Sequence, residues 1–346
     1  MRMKFLLIIQ ILLLHLPLTG VQPIHAHQPQ HTGKPSIKTS DMKFRDPFIF
    51  VDRKAKCYYL ITSNSEQPDW RLGAYRSTDL ENWEFVRRVI PLTGPYTDAA
   101  DWWAPDTYEW KGKHYIFVTV TCQGENRGTA FFRSDEGITG NYRPVDAQRK
   151  VMTPANEMAL DAALYVDRKG QPWMLYSHEW LQCYDGEIKA QKLSRKNLAT
   201  TEGDPITLFK ASDAPWCKST NQRDGHPCYV TDAPFIIRDR KSGHLIIIWS
   251  SFAEVNGTTQ YVFAQAISES GRIEGPWKQE ACPLNQDAGG HAMIFQDLEG
   301  YWRVSYHSPN HVVSPTIRPT VTLGYIKIEN GRIAGVSKEK PSKKKH

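Results

Sequence analysis

RDPFIFVDRKAKCYYLITS (residues 45–63) reads as an apolar strand, a turn rich in Asp and Lys, and a second strand of aromatics and aliphatics. That order is a hairpin signal. The design returns four times: WAPDTYEWKGKHYIFVTVT (103–121), LDAALYVDRKGQPWMLYSHEW (160–180), TDAPFIIRDRKSGHLIIIWSSF (231–252) and GGHAMIFQDLEGYWRVSYHSPN (289–310). Each hairpin is followed by a third strand: RLGAYRS from Arg71, GTAFFRS from Gly128, IKAQKLS from Ile188, YVFAQAIS from Tyr261 and TLGYIKI from Thr322. After four of them a polar turn leads into a short edge strand: ENWEFV, GNYRPV, GDPITLF and GPWKQE. Four antiparallel strands, repeated five times at a period of about sixty residues, predict an all-β fold, a five-bladed β-propeller. The longest step, between the third and fourth blades, holds the loop bracketed by Cys217 and Cys228.

The innermost strands of a propeller line its axis, so residues at equivalent places in each blade meet there. Asp46, Asp106, Asp161, Asp232 and His291 are read as those equivalents. Carboxyls crowded in a low-dielectric funnel raise one another's pKa, and such crowding is kept where it does chemistry. Asp52, Asp167, Asp239 and Asp297 also recur, but between hairpin strands, where Asp serves the turn. Glu179 ends a second strand, which returns toward the same funnel, and it sits between His178 and Trp180 in an HEW triplet.

The remaining sequence bounds the function. The chain has 346 residues, 11% of them aromatic, with eleven Trp, which suits a β-rich core or a surface that stacks flat ligands. The net charge of +6 is carried by the ends: Lys338, Lys340, Lys343, Lys344 and Lys345 less Glu339 supply four, and Arg2 and Lys4 two. A neutral body gives no basic face for nucleic acid. Arg2 and Lys4, the apolar run Phe5–Leu14 and a small-residue exit at Ala26 have the order of a signal peptide, and the run is too short to span a bilayer. The division is therefore a leader (1–26), an N-terminal segment (27–42), the propeller (43–337) and a basic tail (338–346), in a protein exported to the periplasm or beyond. Six Cys lie after the leader, without the spacing of a zinc site. Cys217 and Cys228 are the expected disulfide if any forms. No sequence signal sets an oligomeric state.

Taken together, these motifs resemble glycoside hydrolase family 43 over residues 43–327. The resemblance implies a five-bladed propeller with three acidic residues in a central pocket. RDPFIF implies Asp46 as general base, and LDAALYVDRKGQPWMLYS implies Asp161 as the residue that tunes and orients the acid. WAPDTYEWKGKHYIF places Trp103 and Asp106 by the pocket. GGHAMIF places His291 on the axis near a metal, often calcium; no other cofactor is implied. The family's acid strand usually reads Glu-Gly-Pro, where this chain has Asp232-Ala233-Pro234. Asp is one methylene shorter, so the general acid is Asp232, favoured by motif position, or Glu179 from the neighbouring blade. Trp102, Trp103 and Trp180 are candidate stacking surfaces for a sugar, with His178 and Arg318 as further binding residues.

The implied function is an exported, inverting, exo-acting glycosidase that removes a terminal pentose, α-L-arabinofuranose or β-D-xylose, from plant oligosaccharide or polysaccharide. The alternatives are a galactosidase acting on arabinogalactan and a carbohydrate-binding propeller without chemistry. The last has no need of acids gathered on the axis.

Overall fold

The computed structural model describes residues 36–63 and 70–342. The leader expected over 1–26 and most of the segment 27–42 lie outside the described residues. Among the described residues no helix is long and apolar enough to cross a membrane.

Five antiparallel sheets form five blades around one axis. The innermost strands are Phe48–Asp52, Ala100–Trp110, Ala159–Val166, Asp232–Arg238 and Gly290–Gln296. Each packs against the next, and the fifth against the first, so the ring closes. Blades two to five have four strands each, and blade one gains a fifth, Ile37–Lys38, on its outer edge. The outer strand of blade five, Arg332–Ser337, has no counterpart in the sequence reading, which found edge strands for only four blades. The N-terminal segment spans the seam between the last and first blades: Val321 N donates to Met42 O, and the Arg45 guanidinium bonds Asn310. The long connection between blades three and four folds into a small hairpin, Asn221–Arg223 with His226–Cys228.

Local chemistry explains the blades. Lys111-Gly112, Asn256-Gly257 and Asn330-Gly331 each form a two-residue hairpin loop with both φ angles positive. That conformation matches the strand twist and favours Asn and Gly. The recurrent turn acids do turn work, as expected: Asp167 Oδ1 accepts from Lys169 N and Gln171 N, and Asp297 Oδ1 from Glu299 N and Tyr301 N. Between blades the faces are aromatic and aliphatic, with Trp216, Trp249 and Phe209 between blades three and four.

One expectation is corrected. All six cysteines are free thiols, Cys217 and Cys228 included. The small hairpin sets Cys228 opposite Asn221, while the Cys217 Sγ lies 3.1 Å from Ser251 Oγ. Nearness in sequence did not bring the two sulfurs together.

A glycine in blade five is fixed by packing. A Cβ on Gly290 would overlap the Tyr261 ring and stand 3.1 Å from Ser250 Oγ. Gly335, on the outer strand, has nothing within 4 Å of a built Cβ. Gly290→Ala should therefore destabilise the protein by about 1–3 kcal/mol through overpacking. Gly335→Ala should stay within about 0.5 kcal/mol of wild type. Thermal denaturation of the two variants checks the contrast.

Candidate active site

The inner strands do not run straight into the axis. At the mouth of each, one residue adopts the left-handed conformation: Asp46 (φ 53°), Ala104 (47°), Asp161 (56°), Ala233 (51°) and His291 (55°). In blades two to five this residue interrupts the ladder as a bulge before pairing resumes. Asp tolerates left-handed geometry better than most residues, and a bulge re-aims side chains. Side chains catch amides at these turns. Asp161 N donates to Thr119 Oγ1 (2.9 Å), His291 N to Ser250 Oγ (2.8 Å), Ala233 N to Asp161 Oδ2 (3.1 Å) and Asp46 N to His307 Nδ1 (3.2 Å).

This register corrects the five-fold equivalence read from the sequence. Only Asp46, Asp161 and His291 occupy the bulge position. Asp232 lies one residue before it, paired with Ser250, and Asp106 two residues after it, paired with Phe117. Asp106 thus falls in the layer that holds Phe48, Ala163, Phe235 and Met293 in the other blades. It lines a narrow axial cavity of about 10 Å³ beneath the mouth, room for about one water. Burial pushes its carboxyl well above the usual range, and Tyr108 Oη donates to it at 2.6 Å.

Above that layer opens a cleft of about 630 Å³ to which all five blades contribute. Asp46, Asp161, Asp232, Glu179, Trp103, Trp180 and His291 line it, as do Arg45, Tyr261 and His311, which sequence reasoning did not single out. The other expected binding residues lie elsewhere. Trp102 is buried against Tyr96 and Phe132, because the pleat turns it away from its neighbour. His178 bonds Glu187 (3.0 Å) and Gln182 (2.9 Å) outside the cleft lining. Arg318 is exposed and also outside that lining.

The carboxyls differ in charge. Burial opposes ionisation of Asp46, but His291, His307 and Arg45 together hold it well below the ordinary carboxylate range. His307 is fully buried, and its Nδ1 is also 3.2 Å from Asp46 Oδ1. Its Nε2 lies 3.1 Å from Asn310 Oδ1, which accepts from Arg45 Nη2 at 3.0 Å. An amide oxygen only accepts, so His307 Nε2 carries a hydrogen, and Nδ1 faces Asp46 as an acceptor from its amide when the ring is neutral and as a donor to its carboxylate when the ring is charged. Asp161 is pushed up to about 7 by burial and then by the charge on Asp46. Asp232 is likewise pushed up to about 7, by burial and then by Asp161, against a hydrogen bond from Tyr261 Oη (3.0 Å). Burial raises Glu179 against the opposing pull of Arg127. Both Glu179 oxygens accept from Arg127 Nη1, at 2.8 and 2.9 Å.

The calcium implied at the axis would take His291 and, for the rest, mainly water. Calcium takes six to eight oxygens. His291 Nδ1 faces Asp46 Oδ1 at 3.2 Å and Asp161 Oδ2 at 3.7 Å. Among the described residues no group of three or more His, Cys, Asp or Glu is arranged to hold a metal.

A propeller whose mouth gathers one carboxyl held low and two raised to about 7 is built as a glycosidase is, around an acid and a base. The chain belongs to the glycosyl hydrolases family 43, whose sequence profile matches residues 39–331. It is 22% identical over 256 residues to the extracellular exo-alpha-(1->5)-L-arabinofuranosidase ArbA of Cellvibrio japonicus, covering 70% of this chain and 69% of that protein. It is 24% identical over 169 residues to the extracellular endo-alpha-(1->5)-L-arabinanase 1 of Bacillus subtilis, covering 47% of this chain and 50% of that protein. Among solved structures, the endo-arabinase of Bacteroides thetaiotaomicron is 42% identical with a TM-score of 0.77, over 86% of this chain and 99% of that one. The protein is therefore a glycosidase, not a binding propeller without chemistry.

The hydrogen bond from Tyr261 favours the charged form of Asp232. Tyr261→Phe should therefore raise the Asp232 titration above about 7. Carboxyl-carbon NMR of the two proteins across pH 4–10 measures the shift.

Proposed function

We propose that this protein cleaves α-linked arabinofuranosyl units of plant arabinan with inversion at the anomeric carbon. The observation that carries the reading is the gathering of Asp46, Asp161 and Asp232 in one cleft, where cationic neighbours hold Asp46 low and burial raises Asp232. Asp46, ionised, takes a proton from water as the water oxygen attacks the anomeric carbon. Asp232, protonated near neutral pH, gives its proton to the departing glycosidic oxygen. Asp161 stands between them. Its Oδ2 accepts from Ala233 N, beside Asp232, and ionisation of either carboxyl disfavours ionisation of the other. An inverting pair works at a separation of about 6.5–9.5 Å, which leaves room for the water. The sequence alternatives, xylose or galactose as the departing sugar, have less support than arabinose, which the two curated relatives and the 42% identical structure carry in their names.

Release of a terminal pentose is the reading taken from the sequence. Attack within the chain is favoured by the 42% identity to an endo-arabinase. Debranched linear arabinan separates the two: arabinose alone from the first minutes marks terminal action, and a ladder of oligosaccharides marks internal action. Export is supported by the basic–apolar–small order of residues 1–26 and by the word extracellular in the names of both curated relatives.

Asp46→Asn should lower turnover on every substrate by about 10²–10⁴-fold while the protein stays folded. Asp232→Ala should lose activity on arabino-oligosaccharides yet keep much of it on an aryl arabinofuranoside, whose good leaving group departs without a proton. Proton NMR of the first sugar released by wild type should show the inverted anomer; a retained anomer would overturn the mechanism.

A further inference from the structure

Arg127 belongs to no motif in the sequence, yet it holds together one rim of the cleft. It stands just before the third strand of blade two, Gly128–Ser134, with its side chain largely buried. Its guanidinium carbon lies 4.4 Å from the centroid of the Trp103 indole. Nη1 donates to both Glu179 oxygens, and Nη2 reaches Asp101 Oδ2 at 3.3 Å. Thr121 Oγ1 donates to that same Asp101 oxygen at 2.7 Å. The clamp joins blade two to the end of the second strand of blade three, and Glu179 is only 7% exposed.

Trp103, by contrast, is 43% exposed and lines the cleft. An exposed indole held only by its backbone samples several rotamers, and ordering a side chain on binding costs about 0.5–1.5 kcal/mol. A guanidinium stacked on one ring face restrains the indole before the sugar arrives and leaves the other face for a sugar. Glu179, with both oxygens already taken by a permanent cation, is poorly placed to hand a proton to a glycosidic oxygen. It is well placed to keep the guanidinium flat against the ring. Arg suits this task because it is planar, stacks on aromatics and binds carboxylates through several donors.

We propose that Arg127 is a positioning residue that, anchored by Glu179 and Asp101, pre-orders Trp103 as a stacking platform for a sugar of the substrate. On this view Glu179 acts through Arg127 and not as the general acid. The inference rests on the glycosidase reading above.

The test is a double-mutant cycle on the full chain with arabino-oligosaccharides, reading KM and kcat separately. Arg127→Met should raise KM about tenfold with kcat within about threefold. Trp103→Ala should raise KM at least as much, and the double variant should be no worse than Trp103→Ala alone, within about twofold. Glu179→Gln should also raise KM, with no recovery on an activated aryl arabinofuranoside. Because Arg127→Met leaves a buried carboxylate unpaired, Arg127→Met/Glu179→Gln is made beside it; it should fold and reproduce the KM effect. Multiplicative effects of Arg127→Met and Trp103→Ala would overturn the proposal. So would a Glu179→Gln enzyme that fails on oligosaccharide but recovers on the aryl substrate, which would mark Glu179 as the acid. If wild type leaves arabinan uncut, the substrate reading fails instead, and the same cycle is read on whichever oligosaccharide wild type cleaves.

Discussion

The closed ring of five inner strands is the constraint on which the site depends. Each strand enters the axis through one left-handed residue, which in blades two to five sits within a bulge of the ladder. In three blades that residue is Asp46, Asp161 or His291, which sets two carboxyls and an imidazole together at the base of the cleft with their side chains largely buried. Packing alone would fill the axis with apolar side chains. One layer lower it nearly does, with Phe48 edge-on to Tyr108 and to Phe235. The change from apolar plug to acidic mouth takes place within two residues of the chain.

Desolvation acts on every carboxyl at the mouth, so the differences between them come from partners. Asp46 has Arg45 and two imidazoles near it and keeps its charge. Asp161 and Asp232 have mainly each other, Asp46 and a few neutral donors, and they hold protons to about neutral pH. The support of Asp46 is long-range: His307 and Asn310 lie in blade five, more than 250 residues away along the chain. Closure of the ring between the last blade and the first therefore does chemical work as well as structural work. Met42, from the segment before the first blade, bonds across that seam to Val321.

Much of this was legible in the sequence, and the reasons are physical. A two-residue strand period, broken by Asn-Gly and Asp-rich turns, survives as a pattern in letters, so blade number and order could be read. The bulges could not. A shift of one or two residues moves a side chain between layers, which is why Asp106 reads as a pocket residue but lies beneath the pocket, and why Asp232 precedes the turn it was aligned with. Trp102 and Trp103 are adjacent in sequence, yet one is buried in the core and the other exposed in the cleft. Arg127, His307 and Tyr261 carry no local signal, because their partners come from other strands or other blades. The disulfide failed for the opposite reason: Cys217 and Cys228 are close in sequence, and the intervening hairpin turns them to different neighbours.

The central claim is that, near neutral pH, Asp46 is charged while Asp232 still holds its proton. The pH dependence of kcat/KM on an arabino-oligosaccharide tests it most directly, because it reports the ionisations of the free enzyme. The active form needs Asp46 deprotonated and Asp232 protonated. Activity should therefore stay high toward acidic pH, since Asp46 ionises well below the usual carboxylate range, and fall as pH rises through about 7. Because Asp161 and Asp232 interact, that alkaline limb belongs to the pair. A profile that is flat from pH 6 to 9, or that rises through 7 as pH increases, would contradict the account.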